Sequence, residues 1–125
     1  MPRQSGGYGI PRTERLRRRE EFQAVFHLGK RIERPSLLLF WRGCDGPRRI
    51  GFAVTRQVRG AARRNRVRRR LREAYRVNRQ GLPTGLQLVC VGKKAAFDGA
   101  FDALRRDMEQ ALGVVAREHR VATRA

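Results

Sequence analysis

Apolar residues along this chain change period repeatedly, and each change marks an element. From Glu20 to Leu28, Phe22, Val25 and Phe26 recur at helical spacing, with Glu20 and Glu21 in the first turn and Gly29 as the C′ residue, which predicts a short amphipathic helix. Ser36–Arg42 (SLLLFWR) and Arg48–Thr55 (RRIGFAVT) read as strands, the second alternating Ile50, Phe52 and Val54 with Gly51, Ala53 and Thr55. The CDGP between them is turn material, so the two are expected to pair antiparallel. Over Ala61–Asn78 the period returns to helix, gathering Val67, Leu71, Ala74, Tyr75 and Asn78 on one side. GLPTG at 81–85 ends that helix, and LQLVCVG at 86–92 is a third apolar run, short enough for a strand buried on at least one face. A last helix is expected from Asp98 as N-cap, with Phe101, Leu104, Met108, Leu112 and Val115 as its buried stripe. Helix, two or more strands, helix, strand, helix makes a two-layer α/β sandwich, with no internal repeat.

The ends of the chain lack this patterning. Residues 1–13 hold three glycines and two prolines and are expected to form a flexible basic arm, with a single domain at 14–118 and a frayed basic tail at 119–125. No run approaches the roughly 18 apolar residues of a membrane span, and MPRQSGGYGIPRT has no apolar core of a secretory signal, so a cytoplasmic protein with no membrane partner is expected.

Charge changes the picture most. The 125 residues carry 27 arginines and 3 lysines against 11 acids, a formal net charge of +19, while 40% apolar content still supplies a core. So strong a self-repulsion calls for a polyanion, either nucleic acid or an anionic membrane surface. The ninefold excess of arginine over lysine favours planar, bidentate phosphate contacts and stacking on bases. Thirteen arginines and a single acid, Glu73, lie between Arg48 and Arg79, so this segment holds +12 of the +19. On a helical wheel Arg66, Arg68, Arg69, Arg72, Arg76 and Arg79, with Asn65 among them, span an arc of about 160° opposite the apolar side. Solvated helix faces usually alternate signs; like charges at i, i+3 and i+4 cost about 0.2–0.5 kcal/mol per pair, which a bound anion would offset. The loop Arg56–Gln57–Val58–Arg59–Gly60 leads into this helix, whose N-terminal amides can also meet phosphates. Because strands flank the basic helix on both sides, a sheet-supported RNA binder fits better than a DNA-reading helix-turn-helix, and no DNA partner is expected.

Catalytic constellations are missing from the sequence. No Ser, Cys or Thr is matched with a base, and the acids fall in helix first turns or on the last helix (Asp102, Asp107, Glu109), where solvated surface is the plain reading. His27 sits favourably late in its helix, and Trp41 reads as core. Cys44 and Cys90 are too far apart for a CxxC metal pair and too few for a disulfide framework, so they read as reduced thiols.

Arg64–Asn65–Arg66 within ARRNRVRRRLREAYR, preceded by IGFAVTRQVRGA, resembles the RNR signature of the bacterial ribonuclease P protein family. REEFQAVFHLGKR at 19–31 is similar to that family's first helix and turn, LQLVCVGKKA at 86–95 to its last strand, and the Asp98 helix to its last helix, covering roughly residues 14–113. The resemblance implies an α+β sandwich of order αβββαβα, like the second domain of ribosomal protein S5, with a four-stranded sheet against helices and a left-handed βαβ crossover that departs from the usual hand. It implies a subunit of a ribonucleoprotein endonuclease that removes the 5′ leader of precursor tRNA, with cleavage performed by the catalytic RNA and Mg²⁺ held mainly by that RNA and the substrate. Carried onto this sequence, Arg56, Arg59, Arg63, Arg64, Asn65, Arg66, Arg68, Arg69 and Arg72 are expected to meet the catalytic RNA. Phe22, Phe26, Phe40 and Thr55 are expected to line a cleft for the precursor tRNA 5′ leader. By spacing, Phe22, Val25 and Phe26 are equally a core stripe, although aromatic faces do stack on unpaired bases with little sequence preference. The family often has a second basic residue where Gln57 stands and a hydroxyl where Ala53 stands. A ribosomal protein or RNA chaperone without cleavage, a nucleoid protein, and a self-contained nuclease are the rival classes.

Overall fold

The computed structural model describes residues 10–124, with side chains to Arg120. Its elements are a 3₁₀ turn Arg12–Glu14, α1 Arg19–Leu28, β1 Lys30–Glu33, β2 Leu37–Gly43, β3 Arg49–Val54, α2 Ala61–Asn78, β4 Leu86–Gly92, α3 Lys94–Asp98 and α4 Phe101–Arg124. The strands form one mixed sheet of order β1-β2-β4-β3. β4 is antiparallel to β2 and parallel to β3. The expected β2–β3 hairpin is therefore corrected: β4 lies between these strands. The reason is burial, since Leu86, Leu88 and Cys90 point into one core and Val89 into another, and a strand apolar on both faces is best covered in the middle of the sheet. β1, too short and too charged to announce itself, adds an edge, pairing Ile32 with Leu39.

α2 and α4 pack on one face of the sheet. Val67, Leu71, Ala74 and Tyr75 of α2 and Leu104, Met108, Leu112 and Val115 of α4 enclose Leu37, Leu39, Trp41 and Ile50, so Trp41 is core as expected. α2 comes so close to β4 that a Cβ on Gly92 would lie 2.4 Å from Val67 Cγ1. Asn78 Nδ2 ties α2 to α4 by donating to the carbonyls of Ala74 (2.9 Å) and Arg105 (3.2 Å). Asp107, read from sequence as solvated, is buried instead: its Oδ2 accepts from Ser36 N–H (3.0 Å) and Ser36 Oγ (2.6 Å), anchoring the β1–β2 turn to α4. A short polar residue on a helix carries no sign of such a distant partner.

Several boundaries differ from the reading above. Asp98 closes the short α3 rather than capping the last helix; the carbonyl of Ala100 accepts the first bonds of α4, from Ala103 (3.2 Å) and Leu104 (3.3 Å). Gly29 ends α1 in an extended conformation (φ −86°), not a left-handed one, and is required because a Cβ there would sit 2.4 Å from the Val25 carbonyl oxygen and 2.7 Å from that of Trp41. The expected tail is helical through Arg124 as part of α4. Of the expected N-terminal arm, residues 1–9 lie outside the described residues, while Ile10 is buried in the main core and Arg12–Glu14 is ordered.

Glu14 explains that order. Its buried carboxylate accepts from Arg48 Nε (2.8 Å), from Arg79 Nη2 and from the Tyr75 hydroxyl, joining the N-terminal turn to β3 and to the C-terminal end of α2. Arg48 also donates to the Leu82 carbonyl. Burial alone would raise the Glu14 pKa, yet the hydrogen bonds from Arg79, Arg48 and Tyr75 outweigh it and hold it below the ordinary carboxylate value. Glu14 thus stabilises the fold fully above the ordinary carboxylate range, and that contribution is lost as the pH falls through its depressed pKa. Glu14→Ala leaves two guanidinium groups without their buried partner and is expected to cost about 3–5 kcal/mol. Urea unfolding from about pH 7 to about pH 2 checks both points, because the variant should lack this acid-side loss.

Candidate nucleic-acid interface

Two surfaces of this fold have the chemistry of nucleic-acid contact. The first is the outer side of α2. Its N-cap is Gly60, at φ +90°, and no acid occupies its first turn; instead Arg63, Arg64 and Arg66 crowd the positive end of the helix dipole. Cations there are disfavoured, and an anion would relieve both the dipole and the arginine repulsion. Arg56, Arg59, Arg66, Arg69 and Arg72 are exposed, and their side chains make no hydrogen bond or ion pair among the described residues. Asn65 Oδ1 accepts from Arg68 Nη1 (2.9 Å), orienting it. Arg63 lies over Phe97 and Arg70 over Phe101, each at 5.8 Å, and Arg70 Nη2 also donates to the Gly99 carbonyl (2.7 Å). Partial burial first, then Arg15, Arg68 and Arg69, lower the pKa of Arg72, a sign of how closely these cations are gathered.

Arg64 plays a different part from its neighbours. Its guanidinium is turned back onto the strand exit, donating to the carbonyls of Val54 (2.9 Å), Thr55 (2.8 Å) and Val58 (3.0 Å). It fixes the Arg56–Gly60 loop to α2. Arg48 and Arg79 are likewise committed to Glu14, and Arg76 to Glu73. The +12 segment thus divides into arginines that hold the fold and arginines that stay free.

The second surface is the opposite face of the sheet, which α1 covers only in part. Val25 is fully buried with Leu16 and Val89. The Phe22 ring lies on Gly51, where a Cβ would sit 2.4 Å from Phe22 Cζ. Phe26, 38% exposed, meets Phe40 edge to face at 4.9 Å. α1 therefore crosses the row Gly51–Val89–Phe40, and the next row on this face, Ala53–Val91–Leu38, is only partly covered. Thr55 extends that strip, with its hydroxyl buried and lacking a hydrogen-bond partner among the described residues. Lys93 bridges Glu33 (2.8 Å) and the Arg34 carbonyl (2.9 Å), joining the loops after β4 and β1. On this face Val25 is core, Phe22 and Phe40 are partly buried against it, and Phe26 is exposed beside the partly covered row.

The pattern that defines the Ribonuclease P family matches residues 10–116. The chain belongs to the ribonuclease P protein family. It is 46% identical over 101 residues to the ribonuclease P protein component of Desulfovibrio desulfuricans, covering 78% of each chain. It is 42% identical over 104 residues to that of Gluconacetobacter diazotrophicus, covering 81% of this chain and 90% of that one. Among solved structures, the RNase P protein from Thermotoga maritima superposes with a TM-score of 0.70 at 29% identity, covering 79% of this chain and 94% of that chain. The Staphylococcus aureus RNase P protein shares the fold, with a TM-score of 0.68 at 18% identity. As a ribonuclease P protein the chain is the protein subunit of that enzyme, an RNA-binding partner of ribonuclease P RNA in tRNA processing. The α+β sandwich with a four-stranded sheet expected from the RNR resemblance is the fold observed, the sheet being mixed.

Sequence reasoning did not find the structural duty of Arg64, because nothing local distinguishes it from Arg63 or Arg66. Arg64→Ala removes three charge-assisted bonds to backbone carbonyls. It should destabilise the protein by about 1.5–3 kcal/mol, and hydrogen exchange should quicken across residues 55–60 with little change in β2.

Proposed function

We propose that this ribonuclease P protein docks on the catalytic RNA through Arg56, Arg59, Arg63, Arg66, Arg68, Arg69 and Arg72, with Asn65 setting Arg68, and that the aromatic-bordered strip holds the 5′ leader of precursor tRNA. One observation carries this reading: Arg64 binds the carbonyls of Val54, Thr55 and Val58, so the helix that presents the free arginines is tied to the strand end that borders the strip. Contacts to RNA and to leader are thereby held in fixed register. Phe22, Phe26 and Phe40 suit an unpaired strand of variable sequence, since stacking contributes about 1–3 kcal/mol per base with little preference.

Cleavage and its Mg²⁺ belong, on this reading, to the RNA and the substrate. Among the described residues no three His, Cys, Asp or Glu side chains converge on one point, and Glu73 on the basic helix is engaged by Arg76. The protein contributes orientation and charge neutralisation, bringing two polyanions together.

Arg66→Glu and Arg69→Glu should each weaken binding to the catalytic RNA and lower the dependence of log K on log salt by about one phosphate contact. In the assembled enzyme, Phe26→Ala should weaken precursor tRNA with a leader by about 1–3 kcal/mol and leave leaderless tRNA unchanged. Titrations with the two substrates decide it: equal losses would assign Phe26 to packing alone.

A further inference from the structure

The RLRRR run at 15–19 has no place in the surfaces described so far, yet the fold gives it a defined setting. β3 is an edge strand, and the segment after the 3₁₀ turn runs along its free edge: Arg15 bridges Ile50 in parallel, and Leu16 N–H donates to the Ile50 carbonyl (2.9 Å). Glu14 anchors this strap on one side and buried Leu16 on the other. Beside it, Arg12, Arg15, Arg17, Arg18 and Arg49 surround an open recess of about 460 Å³. Its carboxylate, Glu21, does little to neutralise them. One oxygen accepts the backbone N–H groups of Arg17 (3.1 Å) and Arg18 (3.0 Å), and the other faces Arg49 (3.3 Å). The side chains of Arg12, Arg15, Arg17 and Arg18 make no hydrogen bond or ion pair among the described residues.

Guarding a sheet edge against aggregation needs only a charge or two, and here the strap already covers the edge. Four guanidinium groups on an anchored segment repel one another with a single nearby carboxylate, Glu21, as partial offset, and their planar donors match phosphate oxygens. The recess also continues a surface already described: Arg15 stands near enough to Arg72 to disfavour its charge. Positive charge therefore runs from α2, around the β3 edge, to the N-terminal end of α1. Arg49 lies in the strand row on the far side of α1 from Ala53, Val91 and Leu38, so the recess is separated from the leader strip.

We propose that this arginine recess binds backbone phosphates of the catalytic RNA, extending the α2 docking face around the edge of the sheet. The proposal rests on α2 being that docking face, and a folded RNA of high phosphate density is the partner able to reach both at once.

The test compares the full-length chain with two variants, one carrying Arg15→Gln, Arg17→Gln and Arg18→Gln, the other Arg66→Glu and Arg69→Glu. Each is titrated with catalytic RNA across a salt series, and then, as assembled enzyme, with precursor tRNA. The strap variant should bind the catalytic RNA at least about tenfold more weakly, with the salt slope reduced by about two to three contacts and an unchanged thermal midpoint. Should the triple variant melt early, the single Arg17→Gln change, at a side chain with no hydrogen bond or ion pair among the described residues, should still lower the slope by about one. If the strap variants bind like wild type while the Arg66/Arg69 variant does not, the recess proposal fails and the α2 reading stands. If the Arg66/Arg69 variant also binds like wild type, the α2 reading fails and takes the recess proposal with it. A defect confined to precursor tRNA would place the recess on the substrate and overturn the assignment.

Discussion

A 125-residue chain with a net charge of +19 must fold against its own repulsion, and where it binds guanidinium groups internally decides which of them remain free for a partner. Three internal sinks stand out. Glu14 takes Arg48 and Arg79, Glu73 takes Arg76, and the carbonyls of Val54, Thr55 and Val58 take Arg64. The Glu14 cluster ties together segments distant in sequence and Arg64 fixes a loop, so these arginines act as cross-braces, while the Glu73–Arg76 pair lies within α2. Those left over project from α2 and from the N-terminal strap, on elements that the braces have made rigid.

The sheet gives this distribution its geometry. With β4 buried on both faces, one side of the sheet is closed by α2 and α4, and the other is covered, among the described residues, by α1 and Leu16. The closed side positions a basic helix whose inner stripe is fully committed to the core. The half-covered side leaves aromatic edges beside an open strip. On the function proposed above, a single small domain holds a phosphate-binding helix and a base-stacking strip in one fold, an arrangement suited to aligning one RNA against another.

Much of this was legible in the residues. α2 spans Ala61–Asn78 as its apolar period predicts, the first four residues of its stripe are buried, and Arg64–Asn65–Arg66 point to the right family. What escaped was non-local. Turn chemistry at CDGP suggested a hairpin because it reports only on neighbours, whereas the insertion of β4 between β2 and β3 is decided by burial on two faces. Asp107 looks like a surface acid until Ser36 is brought to it, and nothing local marks Glu14 as the partner of Arg48, Tyr75 and Arg79. Gly29 does end α1, as its position suggests, but in an extended conformation where the Val25 and Trp41 carbonyls leave no room for a Cβ. Within the candidate site, periodicity separated the buried stripe of α2 from its arginines, but could not say that Arg64 faces inward or that the RLRRR run is anchored along a strand edge.

The account assigns orientation and charge neutralisation to the protein and bond cleavage to the RNA. Its most direct test is cleavage of precursor tRNA at low Mg²⁺ by the purified chain alone, by a catalytic ribonuclease P RNA alone, and by the two together. The account predicts no cleavage by the chain, little by the RNA, and efficient leader removal by the complex, because the protein's arginines replace Mg²⁺ as counter-charge. Cleavage by the protein without RNA, or an RNA whose activity at low Mg²⁺ is unchanged when the protein is added, would contradict it.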